Sequence, residues 1–145
     1  MEVEMAIWFH DVIYDPRRKD NEEQSAAHFL EESRREGMTG DWMANVCRLI
    51  RVTSHHRAEA KDEALLCDID LSILGRSPEE YARYVSAVRR EYAWVSEGDW
   101  RWGRAAVLRT FLERPVIYRT ADYAATETAA RSNLERELRS LVEGG

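Results

Sequence analysis

Apolar residues recur along this chain at helical spacing, with short polar or Gly/Pro punctuation between segments and no alternating β-branched run that would predict a strand. The pattern predicts an all-α fold, a bundle of about six or seven helices. A first helix is expected from about Glu2 to Tyr14, stopping near Asp15-Pro16 because proline disfavours a helical residue before it. A second is expected from Asn21 to Glu36, closed by Gly37. Thr39 or Asp41 is placed to cap a third, whose Met43, Val46, Leu49, Ile50 and Thr53 form one stripe and which should end near His55 or His56. A polar link over 57–62 leads into a helix from Glu63 to Leu74, closed by Gly75. Ser77-Pro78-Glu79-Glu80 has the form of a capping box with proline in the first turn, opening a helix that reaches about Trp94. Ser96 to Asp99 reads as a break, followed by helices over about 100–113 and 122–142, the last with Leu134, Leu138 and Leu141 as its stripe.

The length of 145 residues suits one domain around one core. With 44% hydrophobic and 33% charged residues, the chain has too much apolar material for a wholly disordered protein. No apolar run approaches the roughly 18 to 20 residues that cross a bilayer, so a membrane partner is not expected. The start lacks the pattern of a secretory signal, and Cys47 and Cys67 alone form no disulfide framework; both read as small buried residues in a reducing cytoplasm. Lys and Arg number 21 against 27 Asp and Glu, a net charge of −6, which argues against polymeric nucleic acid as the main partner while allowing a local basic pocket.

Candidate chemistry comes from polar groups that interrupt apolar runs. From Met5 to Tyr14 every residue is apolar except His10-Asp11. A helix apolar on all sides is normally buried, and an unpaired buried carboxylate costs several kcal/mol, so something must compensate the charge. A divalent metal would do so, since imidazole and carboxylate both ligate first-row ions. A satisfied core histidine beside a capping or ion-paired aspartate would do so as well. The same interruption recurs in the run 65–74, at Asp68 and Asp70, which point about 200° apart on a helix; one can face a site while the other caps or pairs. At the end of the third helix, projecting its stripe forward favours His56 over His55 as the inward residue, with a dipole-stabilised helix-end histidine as the structural alternative. His28, beside Phe29, reads as ordinary packing or partial exposure. Neither a thiol nor a serine nucleophile has a supporting motif.

The series Ala6-Ile7-Trp8-Phe9-His10-Asp11, Tyr14-Asp15, Asn21-Glu22 and Ser25-Ala26 resembles the HD-domain superfamily of metal-dependent phosphohydrolases, in particular its small predicted bacterial members. The resemblance continues through Thr53 and His56, Asp68-Ile69-Asp70-Leu71 with Ile73-Leu74-Gly75, Tyr81, Tyr84, Arg89 with Glu91-Tyr92, Gly103-Arg104, and Glu127 with Arg131 and Asn133. It implies an HD-like helical bundle holding a divalent ion of the Mn, Mg, Fe, Co, Ni or Zn kind. The implied ligands are His10, Asp11 and a later aspartate, Asp70 or secondarily Asp68. The family's first histidine, which lies well upstream of the doublet, has no counterpart among the nine residues before His10. The resemblance therefore leads us to expect a chain without the family's N-terminal segment and with an incomplete ligand set.

The activity so implied is hydrolysis of a nucleotide or other small phosphoester by metal-activated water. Asp11 would combine metal binding with proton transfer. Glu22, His56 and secondarily His55 would orient groups around the site or protonate the leaving oxygen. Arg89 and Arg104 would neutralise phosphate charge, or else form ordinary ion pairs with Glu91 or a helix end. Tyr81 and Tyr84 read as packing, and a homodimer is an allowed assembly. The rival expectation is a helical module that binds a nucleotide or a protein partner without turnover, with five tryptophans available for a surface or a core.

Overall fold

The structure is a computed structural model that describes residues 1–144. Among them there are seven α-helices and no strand, as the spacing predicts. The chain divides into two compact units, one over 1–70 and one from Leu71 onward.

The first unit contains α1 (Glu2–Phe9), α2 (Asn21–Arg35), α3 (Trp42–Val52) and α4 (Lys61–Asp70). The predicted stripe of α3 carries its core: Met43, Val46, Leu49 and Ile50 pack with Ala6, Ala26, Phe29, Cys47 and Leu66. Phe29 is fully buried, edge-on to Phe9 and Trp42 at centroid distances of 5.2 and 6.0 Å. Cys47 and Cys67 are both buried and unoxidised, as the sequence suggested. Gly37 follows α2 with φ +72°, the left-handed conformation in which glycine carries no Cβ penalty.

Four expectations for this unit fail. Helix α1 ends at Phe9, five residues short of Tyr14, because side chains of α2 take the backbone groups that would have continued it. Ser25 Oγ accepts from Ile13 N–H at 3.1 Å and donates to Ile13 C=O at 3.2 Å. Asn21 accepts from Asp15 N–H at 3.0 Å and donates to Asp15 C=O at 2.9 Å. Nor is the apolar run buried on all sides: Ala6 alone in α1 is fully buried, and Trp8 is 75% exposed. The polar link before α4 is organised by Glu63, which accepts from the N–H groups of Glu59 and Ala60 and pairs with Arg48. Helix α4 thus starts at Lys61, ahead of the expected Glu63, and neither Asp68 nor Asp70 is its N-cap.

The second unit opens with a 3-10 turn over Leu71–Gly75 and continues as α5 (Pro78–Glu91), α6 (Glu97–Leu112), a 3-10 turn over Ala121–Thr126, and α7 (Glu127–Glu143). The capping box forms as predicted, with Ser77 accepting from Glu80 N–H and Glu80 accepting from Ser77 N–H. The presumed break at 96–99 is instead the start of α6, with Ser96 accepting from Asp99 N–H as its cap. Leu71, Leu74, Tyr81, Leu108, Ile117, Tyr118, Ala130 and Leu134 form the core, with Leu138 and Leu141 packed partly buried against it.

That core also encloses charge. Arg104 Nε and Nη2 donate to Glu137 at 2.7 and 3.1 Å, and Tyr81 donates to the same carboxylate. Burial and the Glu137 hydrogen bond hold the Tyr81 hydroxyl far above its ordinary range. Removing one partner of a buried pair strands the other charge, which costs about 3–5 kcal/mol. Glu137→Ala should therefore lower unfolding free energy by about that amount, and Tyr81→Phe by about 1.5 kcal/mol, because Glu137 keeps its Arg104 partner. Urea denaturation of the two variants checks the ranking; a Glu137→Ala loss no larger than that of Tyr81→Phe contradicts it.

Candidate functional site

Three separate segments of the first unit bring imidazole and carboxylate groups together. His10 caps the C-terminus of α1, His56 follows α3, and Asp70 ends α4. His10 Nε2 lies 3.2 Å from Asp70 Oδ1 and 3.4 Å from Asp11 Oδ2, and His56 Nε2 lies 2.6 Å from Asp70 Oδ2. One carboxylate is therefore held between two imidazoles, each of its oxygens facing one ring.

His56 reaches this position through an unusual backbone. Helix α3 stops at Val52, so the projected stripe does not extend to residue 56. Instead Thr53 and Ser54 turn the chain through hydrogen bonds to Ile50 and Arg51 carbonyls, His56 N–H closes on Val52 C=O at 2.9 Å, and His56 adopts φ +50°. Histidine is among the few non-glycine residues enriched in that left-handed region, and residues held there cluster at functional sites. His55 is exposed, its Nδ1 accepting from Arg57 N–H. His28 is half-buried, tilted against Phe9 as ordinary packing.

The protonation of His10 follows from its partners. Its Nδ1 faces Ile7 C=O at 2.8 Å, which only accepts, and its Nε2 faces carboxylates, which when ionised also only accept. Both ring nitrogens therefore carry protons. In agreement, the Asp70 hydrogen bond outweighs burial and raises the His10 pKa from 6.5 to about 9. Burial alone would raise Asp70, but the hydrogen bonds from His10 and His56 hold it well below the usual carboxylate range.

The charge compensation that the apolar runs demand is thus supplied largely by imidazole. Asp11 is not stranded in a core at all: its side chain is 62% exposed, against 25% for Asp70. Asp68, the alternative ligand, is 1% exposed and stands about 200° round α4 from Asp70. Glu22 is half-buried in the first turn of α2 and makes no hydrogen bond to His10, His56 or Asp70. Arg89 and Arg104 belong to the second unit, where both engage protein groups. Arg89 donates to Tyr92 C=O at 2.8 Å and pairs with Glu97, not Glu91, while Arg104 is closed in with Glu137.

As a metal site the donor set fits in chemistry and is not pre-arranged. Two imidazoles and two carboxylates are good ligands for first-row divalent ions, and the His10 Nδ1–H bond to a carbonyl is the outer-shell contact that orients a ligating imidazole. Yet among the described residues no group of three or more His, Cys, Asp or Glu side chains is arranged to hold an ion. His10 would have to release its Nε2 proton first. A cleft of about 480 Å³ elsewhere in this unit, lined by Leu30, Arg34, Met38, Met43, Cys47 and Arg51 among others, includes none of the four clustered residues.

A histidine whose pKa is raised on folding contributes stability that is complete below its ordinary value of 6.5 and is lost as the pH rises through about 9. The depressed Asp70 contributes stability above about 3.8 that is lost as the pH falls through its lower folded value. NMR titration should accordingly place the His10 midpoint near 9 and show it falling towards 6.5 in Asp70→Asn; a wild-type midpoint near 6.5 contradicts the ion pair. Comparison of the chain with family models, with curated proteins and with solved structures finds no match.

Proposed function

We propose that the chain is a metal-dependent phosphohydrolase of HD-domain type acting on a nucleotide or other small phosphoester. The observation that carries this reading is the convergence of His10, Asp11, His56 and Asp70 from three segments that are distant in sequence. His10 and Asp70 shift one another's proton affinity, and perturbed titratable groups in an open setting are candidates for a functional site. His10, Asp70 and Asp11 would hold the ion, Asp11 from the exposed side where a substrate arrives. When bound, a divalent ion neutralises phosphoryl charge and acidifies water.

The chain's own groups supply the remaining steps. Asp70 orients the His56 ring by accepting from Nε2–H, so a proton delivered by His56 to a leaving oxygen would come from Nδ1. Asp11, half in solvent, accepts a proton from attacking water. His10 keeps its orientation through Ile7 C=O when it gives up the Nε2 proton. Two free buried cysteines support a reducing cytoplasm as the place where this occurs.

A second reading is a helical module of the same type that binds a nucleotide or a protein without turnover. The hydrogen bonds by which His10 and His56 already occupy both oxygens of Asp70 favour it.

Elemental analysis after incubation with Mn, Co, Ni or Zn, together with turnover of nucleoside monophosphates and p-nitrophenyl phosphate, separates the two readings. The expected result is about one ion per chain, affinity that tightens by about tenfold per pH unit up to about 9, and at least a hundredfold loss of turnover in His10→Ala. Nucleotide binding with neither ion nor turnover establishes the module, and turnover unaffected by His10→Ala removes His10 from the site.

A further inference from the structure

Asp11 lies in a segment with little apolar anchorage. Between the end of α1 and the start of α2 the chain runs irregularly over residues 10–20, and Val12 and Tyr14 are 44% and 48% exposed. The hydrophobic effect therefore does little to fix the course of the backbone around the carboxylate. What fixes it is polar. Ser25, fully buried, takes both the N–H and the C=O of Ile13. Asn21, 7% exposed, takes both the N–H and the C=O of Asp15. Each side chain reads one residue's backbone as a neighbouring strand would, and the two sit one helical turn apart on the same face of α2.

We propose that Asn21 and Ser25 are positioning residues: by capturing the backbone of Ile13 and Asp15 they stop α1 at Phe9 and hold the Asp11 carboxylate beside His10. This inference rests on the metal-site reading above for its functional consequence. The competition is local and specific. In a continued helix Ile13 N–H would bond to Phe9 C=O; here Ser25 takes that donor, and Phe9 C=O receives Val12 N–H at 3.2 Å as the last tightened turn. Without the clamps, Ile13 and Asp15 lose these backbone partners; His10 is already helical, with φ −59° and ψ −33°, so the loss falls on the segment immediately after Asp11, which is no longer held to its present course. Removing the groups that orient a ligand typically changes metal affinity by about 10–100-fold; Ser25 and Asn21 would act through the backbone two and four residues beyond Asp11, not by touching its carboxylate.

The test uses the full chain as wild type, Ser25→Ala and Asn21→Ala, with two separate measurements. The first is amide hydrogen exchange without metal: at Ile13 and Asp15 it should accelerate at least about tenfold in the variant that removes the respective clamp, while the core amides of Leu49 and Ile50 keep their protection. The second is cobalt(II) titration followed by its absorption spectrum, in which each variant should bind about 10–100-fold more weakly than wild type. Unchanged exchange at Ile13 and Asp15 in both variants overturns the inference, and so does accelerated exchange with cobalt affinity equal to that of wild type. If wild type binds no cobalt while the exchange pattern appears as expected, the metal-dependent function fails and the clamp stands as the device that ends α1. If wild type binds cobalt and the exchange is indifferent to both substitutions, the clamp fails and the metal-dependent function stands.

Discussion

Asp70, with a histidine on each of its carboxylate oxygens, is the constraint around which the first unit is organised. Helix α4 ends on Asp70, His10 caps α1, and the chain beyond α3 turns back at His56, so three segments meet at one carboxylate. The left-handed backbone at His56 is the clearest sign of this demand. Such a conformation in a non-glycine residue persists only where the surroundings over-determine it, and here the surroundings include a 2.6 Å hydrogen bond to Asp70.

The second unit solves the same problem of buried charge in a different way. Arg104, Glu137 and Tyr81 form a closed set in which every charged oxygen has a donor, and Trp100 and Tyr84 flank the guanidinium at 6.0 and 5.7 Å. Nothing in that set is left for a ligand. In the first unit, by contrast, Asp11 remains open to solvent beside a histidine that has already been pushed towards its charged form. A closed network holds a core together, whereas perturbed titratable groups open to solvent are candidates for a functional site. This contrast is why the proposed site is the His10 cluster and not Arg104.

Much of this was legible in the spacing of residues and some was not. The helical class, the stripe of α3, the capping box at Ser77 and the closure of α2 at Gly37 follow from local periodicity and cap chemistry, which act over a few residues. The end of α1 was not legible, because it is set by Ser25 and Asn21 reaching back from the next helix. The start of α6 is obscured because Ser96-Glu97-Gly98-Asp99 looks like a turn, although Ser96 with an acidic residue three positions later is itself a cap signal. Periodicity points to His56 through a helix that in fact ends four residues earlier, at Val52, and the turn that follows is what brings the ring inward. The burial of Asp68 and exposure of Asp11 were hidden as well, since a polar residue in an apolar run does not declare which way the run faces.

The account stands on the coupling between His10 and Asp70. A double-mutant cycle of His10→Ala and Asp70→Asn at neutral pH, read as unfolding free energy in urea, measures that coupling directly. The account predicts an interaction energy of about 1 kcal/mol or more between the two sites. Losses that simply add, to within about 0.3–0.5 kcal/mol, would show that the two side chains do not hold one another and would contradict it.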